Sequence, residues 1–200
     1  MAFGWYKNAE YTESGLRFSF NPGWVVKKYD AHRFFQGLAG AGLKGVDFIA
    51  TDGRQVLLCE AKNYRRRQPW QKENPLDAIL ASPGDFAVEM AQKVQDTLRG
   101  IKVIGLYYHR KWLYRALQPL FLRLAPGGRD WRFWAHIYRL VQAPENIVFI
   151  LWLETEQPQR QLTDGVETAL RHHLRRRLGQ LYVASDNKHP LHEVVHASLA

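Results

Sequence analysis

Two strand-like apolar runs flank a short turn sequence, and their alternation constrains the fold more than any other feature of the chain. The runs are VDFIA and QVLLCEA, and TDGR lies between them with Asp52-Gly53 at its centre. Asp-Gly between two such runs predicts a β-hairpin, because both central residues of a tight turn need positive φ. With a two-residue turn, Asp47 is expected to lie opposite Leu58.

This pairing places charged side chains on one face of the hairpin. Side chains alternate along a strand and opposed residues share a face, so Asp47, Glu60 and Lys62 are expected to project to the same side. Asp47 and Glu60 are then diagonal neighbours, within reach of one bound cation. The neighbouring residues of the second run are apolar, and buried ionisable groups are costly unless they are paired or bound to metal. The pattern favours a metal site over a solvated surface salt bridge.

Strand-like and helix-like patterns alternate along the rest of the chain. The predicted strands are GLRFSF, GWVVKKY, IKVIGLYY and NIVFILWLE. The predicted helices run from Asp30 toward Gly40, from Ser82 to Gly100, through KWLYRALQPLFLRL and DWRFWAHIYRLV, and from Asp164 to about Leu178. This order predicts an α/β layered architecture, and 200 residues suit a single domain.

The composition indicates which binding partners and which cellular compartment to expect. Lysine and arginine total 28 against 19 acidic residues, a net charge of +9 that attracts polyanions such as nucleic acid. Cys59 is the only cysteine, which excludes an intramolecular disulfide and a cysteine-based zinc cluster and fits a reducing compartment. No apolar run is long enough for a signal peptide or a membrane span, so we expect a cytoplasmic protein with no membrane partner.

The charged residues of the hairpin suit phosphodiester cleavage. That reaction requires charge neutralisation at the scissile phosphate and a hydroxide near neutral pH, and one or two Mg²⁺ ions held by carboxylates supply both. Asp47 and Glu60 would provide oxygen ligands, and the carbonyl of Ala61 would add another. Lys62, on the same face, would meet the water and the phosphate.

The stretch GVDFIA followed by LLCEAKNY resembles the active-site hairpin of the PD-(D/E)XK nuclease superfamily, and it is similar in wording to the Mrr-type and NERD-type branches. The resemblance covers about residues 23–108 and leaves 109–200 as a largely helical C-terminal α/β extension. It implies a restriction-endonuclease-like three-layer fold with a central mixed sheet and an αβββαβ core.

The same resemblance implies an activity and the residues that carry it. Asp47 and Glu60 would bind Mg²⁺ or Mn²⁺, and Lys62 would assist the nucleophilic water of a nuclease acting on DNA rather than RNA. Many enzymes of this superfamily work as dimers, which leaves a homodimer open.

The chain departs from the superfamily pattern before the first acid and on the first helix, and it offers additional residues on the helix after the hairpin. Val46 stands where the proline of the superfamily's name would be. The first helix, which in many members carries a further glutamate, offers only Asp30 at its start and Gln36 inside, which leaves a second metal site open. Some branches place a glutamine or lysine on the helix after the hairpin, and Gln92 or Lys93 would serve as that accessory residue.

Two basic segments are candidates for contact with nucleic acid. The segment NYRRRQPWQK, directly after the predicted site, contains Arg65, Arg66, Arg67 and Trp70. Guanidinium groups bind phosphates, and an aromatic face can stack on a base. In DWRFWAHIYRLV the helical period places Arg132, His136 and Arg139 on the face opposite the aromatic residues, where the two arginines would line a duplex.

Two alternatives belong to other functional classes. A protein of the same fold without the chemistry would bind nucleic acid and not cleave it. HEVVH, His192 to His196, matches the H-E-x-x-H pattern of zinc metallopeptidases, which needs both histidines on one helical face. Only four residues follow His196, whereas a catalytic zinc needs a third protein ligand. The sequence favours a short C-terminal helix that docks on the core.

Overall fold

The computed structural model describes residues 9–40, 42–65, 76–127, 129–156 and 160–200. The strands are β1 (Ala9–Glu13), β2 (Leu16–Phe20), β3 (Val25–Lys28), β4 (Phe48–Thr51), β5 (Val56–Asn63), β6 (Ile147–Glu154), β7 (Gln180–Ala184) and β8 (Val195–Leu199). The helices are α1 (Arg33–Ala39), α2 (Asp77–Ala81), α3 (Pro83–His109), α4 (Trp112–Arg123), α5 (Asp130–Leu140) and α6 (Arg160–Leu174). A 3-10 turn at Pro144–Asn146 precedes β6.

The strands form a mixed five-stranded sheet and a smaller antiparallel sheet. The order in the larger sheet is β3-β4-β5-β6-β7, with antiparallel pairing up to β5 and parallel pairing from β5 to β7. The smaller sheet has the order β1-β2-β8 and is antiparallel throughout. The fold is therefore α/β with a mixed sheet, as the sequence predicts.

The larger sheet is buried on both faces. One face packs against α3, α5 and α6 through residues such as Leu58, Phe149 and Val94. The other face packs against the small sheet, where Phe18 and Phe20 contact Phe48. Burial on both faces explains the nearly continuous apolar sequence of β5 and β6.

The turn between β4 and β5 differs from the prediction. It is a four-residue loop, residues 52–55, in which Asp52 Oδ1 accepts hydrogen bonds from the N–H groups of Arg54 and Gln55. Gly53 adopts a φ of 92°. The longer loop pairs Ile49 with Leu58, so the register is two residues away from the predicted one. Because the shift is even, each side chain keeps its predicted face.

Helix α3 continues through the segment IKVIGLYY, so the predicted strand there is wrong. Its buried residues there are Ile101, Ile104, Gly105 and Tyr108, a helical spacing. Gly100 does not end the helix but allows close packing, since a side chain there would collide with the Tyr29 hydroxyl. None of the helices in the described ranges combines the length and apolarity needed to cross a membrane.

The boundaries of two other helices also differ from the prediction. Helix α1 begins at Arg33 rather than at Asp30, because the ring of His32 accepts the capping hydrogen bond from the N–H of Phe34. Asp30 lies in the turn before that cap. Helix α6 already includes Arg160 and ends at Leu174, four residues before the predicted end.

Candidate active site

The two predicted metal-binding acids are neighbours across the hairpin. Asp47 immediately precedes β4, and Glu60 follows Cys59, which pairs with Phe48. Continuing this register places Asp47 directly opposite Glu60, closer than the predicted diagonal arrangement. Both lie where the parallel strands β5 and β6 approach their carboxyl ends, a common place for sites in α/β sheets.

Asp47 is a buried carboxylate with one strong hydrogen bond. Its side chain is 8% exposed, and Oδ2 accepts a hydrogen bond of 2.7 Å from the N–H of Ala61. Burial and the adjacent charge of Glu60 raise the pKa of Asp47 to about 7, against the opposing effect of the Ala61 hydrogen bond. A cation beside this carboxyl group would stabilise its charged form.

Glu60 is the most deeply buried acid of the site, at 1% exposure. Its Oε1 lies 2.5 Å from Lys93 Nζ and 3.2 Å from Lys62 Nζ. Its Oε2 is buried and has no hydrogen-bond partner among the residues that the structure describes. Burial alone would lower the pKa of Lys62, but the charges of Glu60 and Asp47 outweigh it and raise that pKa. Lys62 is therefore a protonated ammonium group at neutral pH.

Two further acids lie beside Asp47. Glu13, at the end of β1, Asp30, in the turn after β3, and Asp47 each place a carboxylate oxygen within 4.8 Å of the other two. Asp30 Oδ1 is buried, and no group in the described part of the chain forms a hydrogen bond with it. Burial raises the pKa of Asp30. Lys28 Nζ lies 2.7 Å from Glu13 Oε2. We call Glu13, Asp30, Asp47 and Glu60 the carboxylate cluster.

Sequence reasoning did not single out Glu13 or Lys28. Glu13 reaches the site only because β1 pairs with β2, whose apolar face packs on the larger sheet. No local pattern in EYTES reveals that tertiary contact. Asp30, predicted as the start of the first helix, instead lies in a turn, and this turn places it beside the other carboxylates.

The predicted accessory residues differ in where they lie. Lys93 joins the site through Glu60. Gln92 instead donates to Asp96 Oδ1 at 2.9 Å, and Gln36 is exposed on α1. The N–H of Ala61 faces Asp47, and its carbonyl projects to the same side of the strand, as the two groups of one strand residue do.

The predicted arginines are spread over the molecule. Arg65 follows β5, and its Nε lies 2.9 Å from Glu154 Oε1 at the site's end of the sheet. Arg139 donates to the Gly53 carbonyl at the opposite end of β4, and Arg132 lines a pocket of about 710 Å³ beside Trp131. Arg66, Arg67 and Trp70 lie outside the described residues.

His136 does not share the outward face predicted for Arg132 and Arg139. It is 3% exposed, and its Nε2 lies 3.0 Å from the Phe121 carbonyl and 2.9 Å from the Leu124 carbonyl. The imidazole is thus held between α5 and the end of α4, since a buried ring nitrogen needs such partners.

The C-terminal HEVVH segment is not helical, contrary to the prediction. His192 lies in a turn, whereas His196 lies on β8 and pairs with Ser19 of β2. Val195 and Ala197 of β8 alternate with exposed residues and pack in the core between the small sheet and the larger one. This two-residue period is that of a strand, not of a helix. The shared helical face required by a zinc metallopeptidase is absent from this segment.

Comparison with family models, curated proteins and solved structures gives no significant match to this chain.

Proposed function

We propose that the protein is a metal-dependent nuclease of the PD-(D/E)XK type that hydrolyses phosphodiester bonds in DNA. The observation that carries the proposal is the convergence of Asp47, Glu60 and Lys62 on one face at the end of β5. An isolated acid, acid-x-lysine pattern is weak, but buried carboxylates with unused oxygens beside a protonated lysine are costly without a function.

The order of the elements gives partial support to the restriction-endonuclease-like core. Strands β3, β4 and β5, helix α3 and strand β6 supply its βββαβ part in sequence order. Helix α1 lies between the first two of these strands rather than before them, and α4 and α5 intervene before β6. Asp47, directly before β4, and Glu60, on β5, nevertheless lie in the hairpin to which the resemblance assigns the metal-binding acids.

The residues present fit a hard divalent cation such as Mg²⁺ or Mn²⁺. Within residues 9–40, 42–65, 76–127, 129–156 and 160–200, Glu60 Oε2 and Asp30 Oδ1 are buried oxygens with no hydrogen-bond partner. The acidic side chains offer oxygen ligands, which these ions prefer. Asp47, Glu60 and the Ala61 carbonyl would hold the cation. When bound, it would stabilise charge on the phosphate and lower the pKa of a water molecule.

The protein's own groups orient the site. The N–H of Ala61 fixes the Asp47 carboxylate, and Lys93 fixes that of Glu60. Lys62 keeps its proton on Nζ because Glu60 and Asp47 raise its pKa. We infer that this ammonium group donates hydrogen bonds to the attacking water or to the scissile phosphate and stabilises negative charge there.

The charge balance favours a polyanionic substrate. The net charge of +9 would strengthen encounter with DNA at low salt, and Arg65 lies close enough to the site to contact the backbone of a bound strand. Arg132 and Arg139 lie elsewhere and would contact DNA only at a distance from the reaction.

A cleavage panel tests the proposal. Linear, circular, branched and single-stranded DNA, with RNA alongside, are incubated with Mg²⁺, Mn²⁺, Zn²⁺ or EDTA. We expect cleavage with Mg²⁺ or Mn²⁺, none in EDTA, and background rates for Asp47→Ala.

Lys62→Ala is expected to lower the cleavage rate by at least about a hundredfold. Lys102→Ala, which removes an exposed lysine of α3, is the matched control and should keep full activity. If every substrate stays intact while binding at low salt persists, the chain is instead a non-catalytic nucleic-acid-binding protein.

A further inference from the structure

Exposed apolar side chains are concentrated in one part of the molecule, the last turns of α3 and helix α4. Of the ten large hydrophobic side chains that are exposed in the described part of the chain, seven lie between Val103 and Leu124. Trp112 is the most exposed of them, at 73%. Single exposed apolar residues are ordinary on a protein, whereas a group of this size marks a binding surface.

Helix α4 is apolar on two sides, and the rest of the protein covers only one of them. Tyr114 is buried, and Phe121 packs between it and Trp131. The exposed apolar residues on the other side recur at helical spacing and are Trp112, Leu113, Ala116, Leu120 and Leu124. We call these five residues the α4 surface. A helix with apolar residues on all sides is normally covered on all of them.

The charges carried by this part of the chain are all positive. From residue 97 to residue 129 the sequence contains seven lysines and arginines and no aspartate or glutamate. Arg115 and Arg123 are exposed on α4 itself. Lys111 Nζ, at the start of α4, lies 4.7 Å from the centre of the Tyr107 ring on α3. A partner complementary to this surface therefore carries negative charge beside apolar groups.

A bilayer of anionic phospholipids supplies both kinds of contact. Its acyl chains accept leucine and tryptophan side chains, and its head groups attract lysine and arginine. A second copy of the chain is disfavoured, because two such surfaces would bring like charges together. DNA supplies phosphates for the arginines but leaves the exposed leucines without an apolar partner.

We propose that α4 lies along the surface of an anionic phospholipid membrane, with the α4 surface among the acyl chains and Arg115 and Arg123 at the head groups. The expected lack of a membrane partner follows from span length alone, and a helix that lies in the plane of the membrane surface needs no such length. Lys93 of the candidate active site lies fourteen residues before Tyr107 on α3, about 21 Å along the helix axis. The membrane surface is therefore separate from that site, and the inference does not rest on the proposed function.

Flotation of the full chain with lipid vesicles tests the proposal. We expect vesicles of phosphatidylglycerol and phosphatidylcholine to bind the wild type at least about tenfold more tightly than vesicles of phosphatidylcholine alone. Trp112→Gln combined with Leu120→Gln should weaken binding to the mixed vesicles by at least about tenfold, because two large apolar side chains no longer enter the acyl region. Leu199→Gln, which changes an exposed leucine of β8, is the matched control and should bind like the wild type. Thermal unfolding checks that each variant is folded.

The contribution of charge is tested by Arg115→Gln combined with Arg123→Gln. We expect binding to the mixed vesicles to weaken by about tenfold. Arg176→Gln combined with Arg177→Gln removes the same charge from exposed positions after α6 and should bind like the wild type. Equal losses in the two double variants would assign vesicle binding to the net charge and overturn the role of α4.

Other occupants of the α4 surface would give different results. No binding of the wild type to the mixed vesicles would overturn the proposal. A dimer in analytical ultracentrifugation that dissociates in the Trp112→Gln and Leu120→Gln variant would assign the surface to a second copy, and a loss of DNA binding in that variant would assign it to DNA. DNA cleavage is expected to be unchanged in all of these variants, so a failure of membrane binding leaves the proposed function standing.

Discussion

Asp47 and Asp130 are two partly or fully buried aspartates with opposite surroundings. Asp130, at the start of α5, lies 2.8 Å from Lys27, 3.3 Å from His32 and 3.0 Å from Arg33. Burial alone would raise the pKa of Asp130, but Lys27 and His32 outweigh it and lower that pKa. Asp47 lies among other acids, and its pKa is raised to about 7.

The opposite pKa shifts indicate different roles: the charge of Asp130 stabilises the fold, whereas the charge of Asp47 serves a binding site. Asp130 binds a lysine of β3 and an arginine of α1 and contacts the ring of His32 at the cap of α1, so its charge ties these elements together. Asp47 is placed where its charge is disfavoured, and the strained electrostatics are characteristic of sites that bind a ligand. The local sequence does not distinguish them, since Lys44 lies close to Asp47 in the sequence and Arg129 is next to Asp130.

The largest expected effect on stability comes from removing Lys93, the lysine that pairs with Glu60 of the carboxylate cluster. Lys93→Met removes the closest cationic partner of Glu60, a residue that is 1% exposed. Among the described residues, Lys62 is then the cation left beside the Glu60 carboxylate. We expect the free energy of unfolding at pH 7 to fall by about 3 kcal/mol in urea titrations.

Lys27→Met is the comparison at Asp130. It should cost about 1 kcal/mol, because His32 and Arg33 remain and the pair is partly exposed. Equal losses for the two variants would contradict the proposed distinction between the two aspartates.

Asp47→Asn is expected to stabilise the metal-free protein at high pH. With its pKa raised to about 7, the folded state holds the Asp47 proton more tightly than the unfolded state, so wild-type stability falls as pH rises from about 4 to 7. The variant lacks this loss and should be more stable than the wild type by about 2 kcal/mol at pH 8 in EDTA. The difference in stability between Asp47→Asn and the wild type should vanish near pH 4. If Asp47→Asn is less stable than the wild type at pH 8, the charge of Asp47 is well compensated and the expectation is wrong.

Asp130→Asn should have an effect as small as that of Lys27→Met, with a pH dependence opposite to that of Asp47→Asn. A lowered pKa means that Asp130 contributes stability above its unfolded value, near 3.8, and loses it as pH falls through the folded value. We expect a loss of about 1 kcal/mol at pH 7, shrinking toward pH 3 in thermal unfolding. An undiminished loss at pH 3 would assign the effect to packing instead.

Alternation along the hairpin was sufficient to predict which side chains share a face. The loop length was not predictable from Asp52-Gly53 alone, because hydrogen bonds from Arg54 and Gln55 to Asp52 favour a longer loop. The even shift in register preserved the shared face of Asp47, Glu60 and Lys62. The alternation of side chains along a strand is thus predicted more reliably from sequence than the exact pairing of residues across the hairpin.

Tertiary contacts decided the features that the sequence did not reveal. The run from Ile101 to Tyr108 is apolar enough for a strand, but it extends α3 because its buried residues fall at helical spacing against α5 and the larger sheet. His196 belongs to β8 because β2 offers a pairing edge. Glu13 reaches the site only after the small sheet packs on the large one. Secondary-structure propensity and motif spacing in the sequence do not reveal any of these tertiary contacts.

Calorimetric titration with Mg²⁺ at pH 7.5 tests the central claim most directly, comparing the wild type, Asp47→Asn and Asp130→Asn. The carboxylate cluster is expected to bind Mg²⁺ in the wild type and in Asp130→Asn with similar affinity, and Asp47→Asn is expected to give no binding heat. Equal binding by the wild type and Asp47→Asn, or loss of binding in Asp130→Asn alone, would contradict the assignment of the cation site to Asp47.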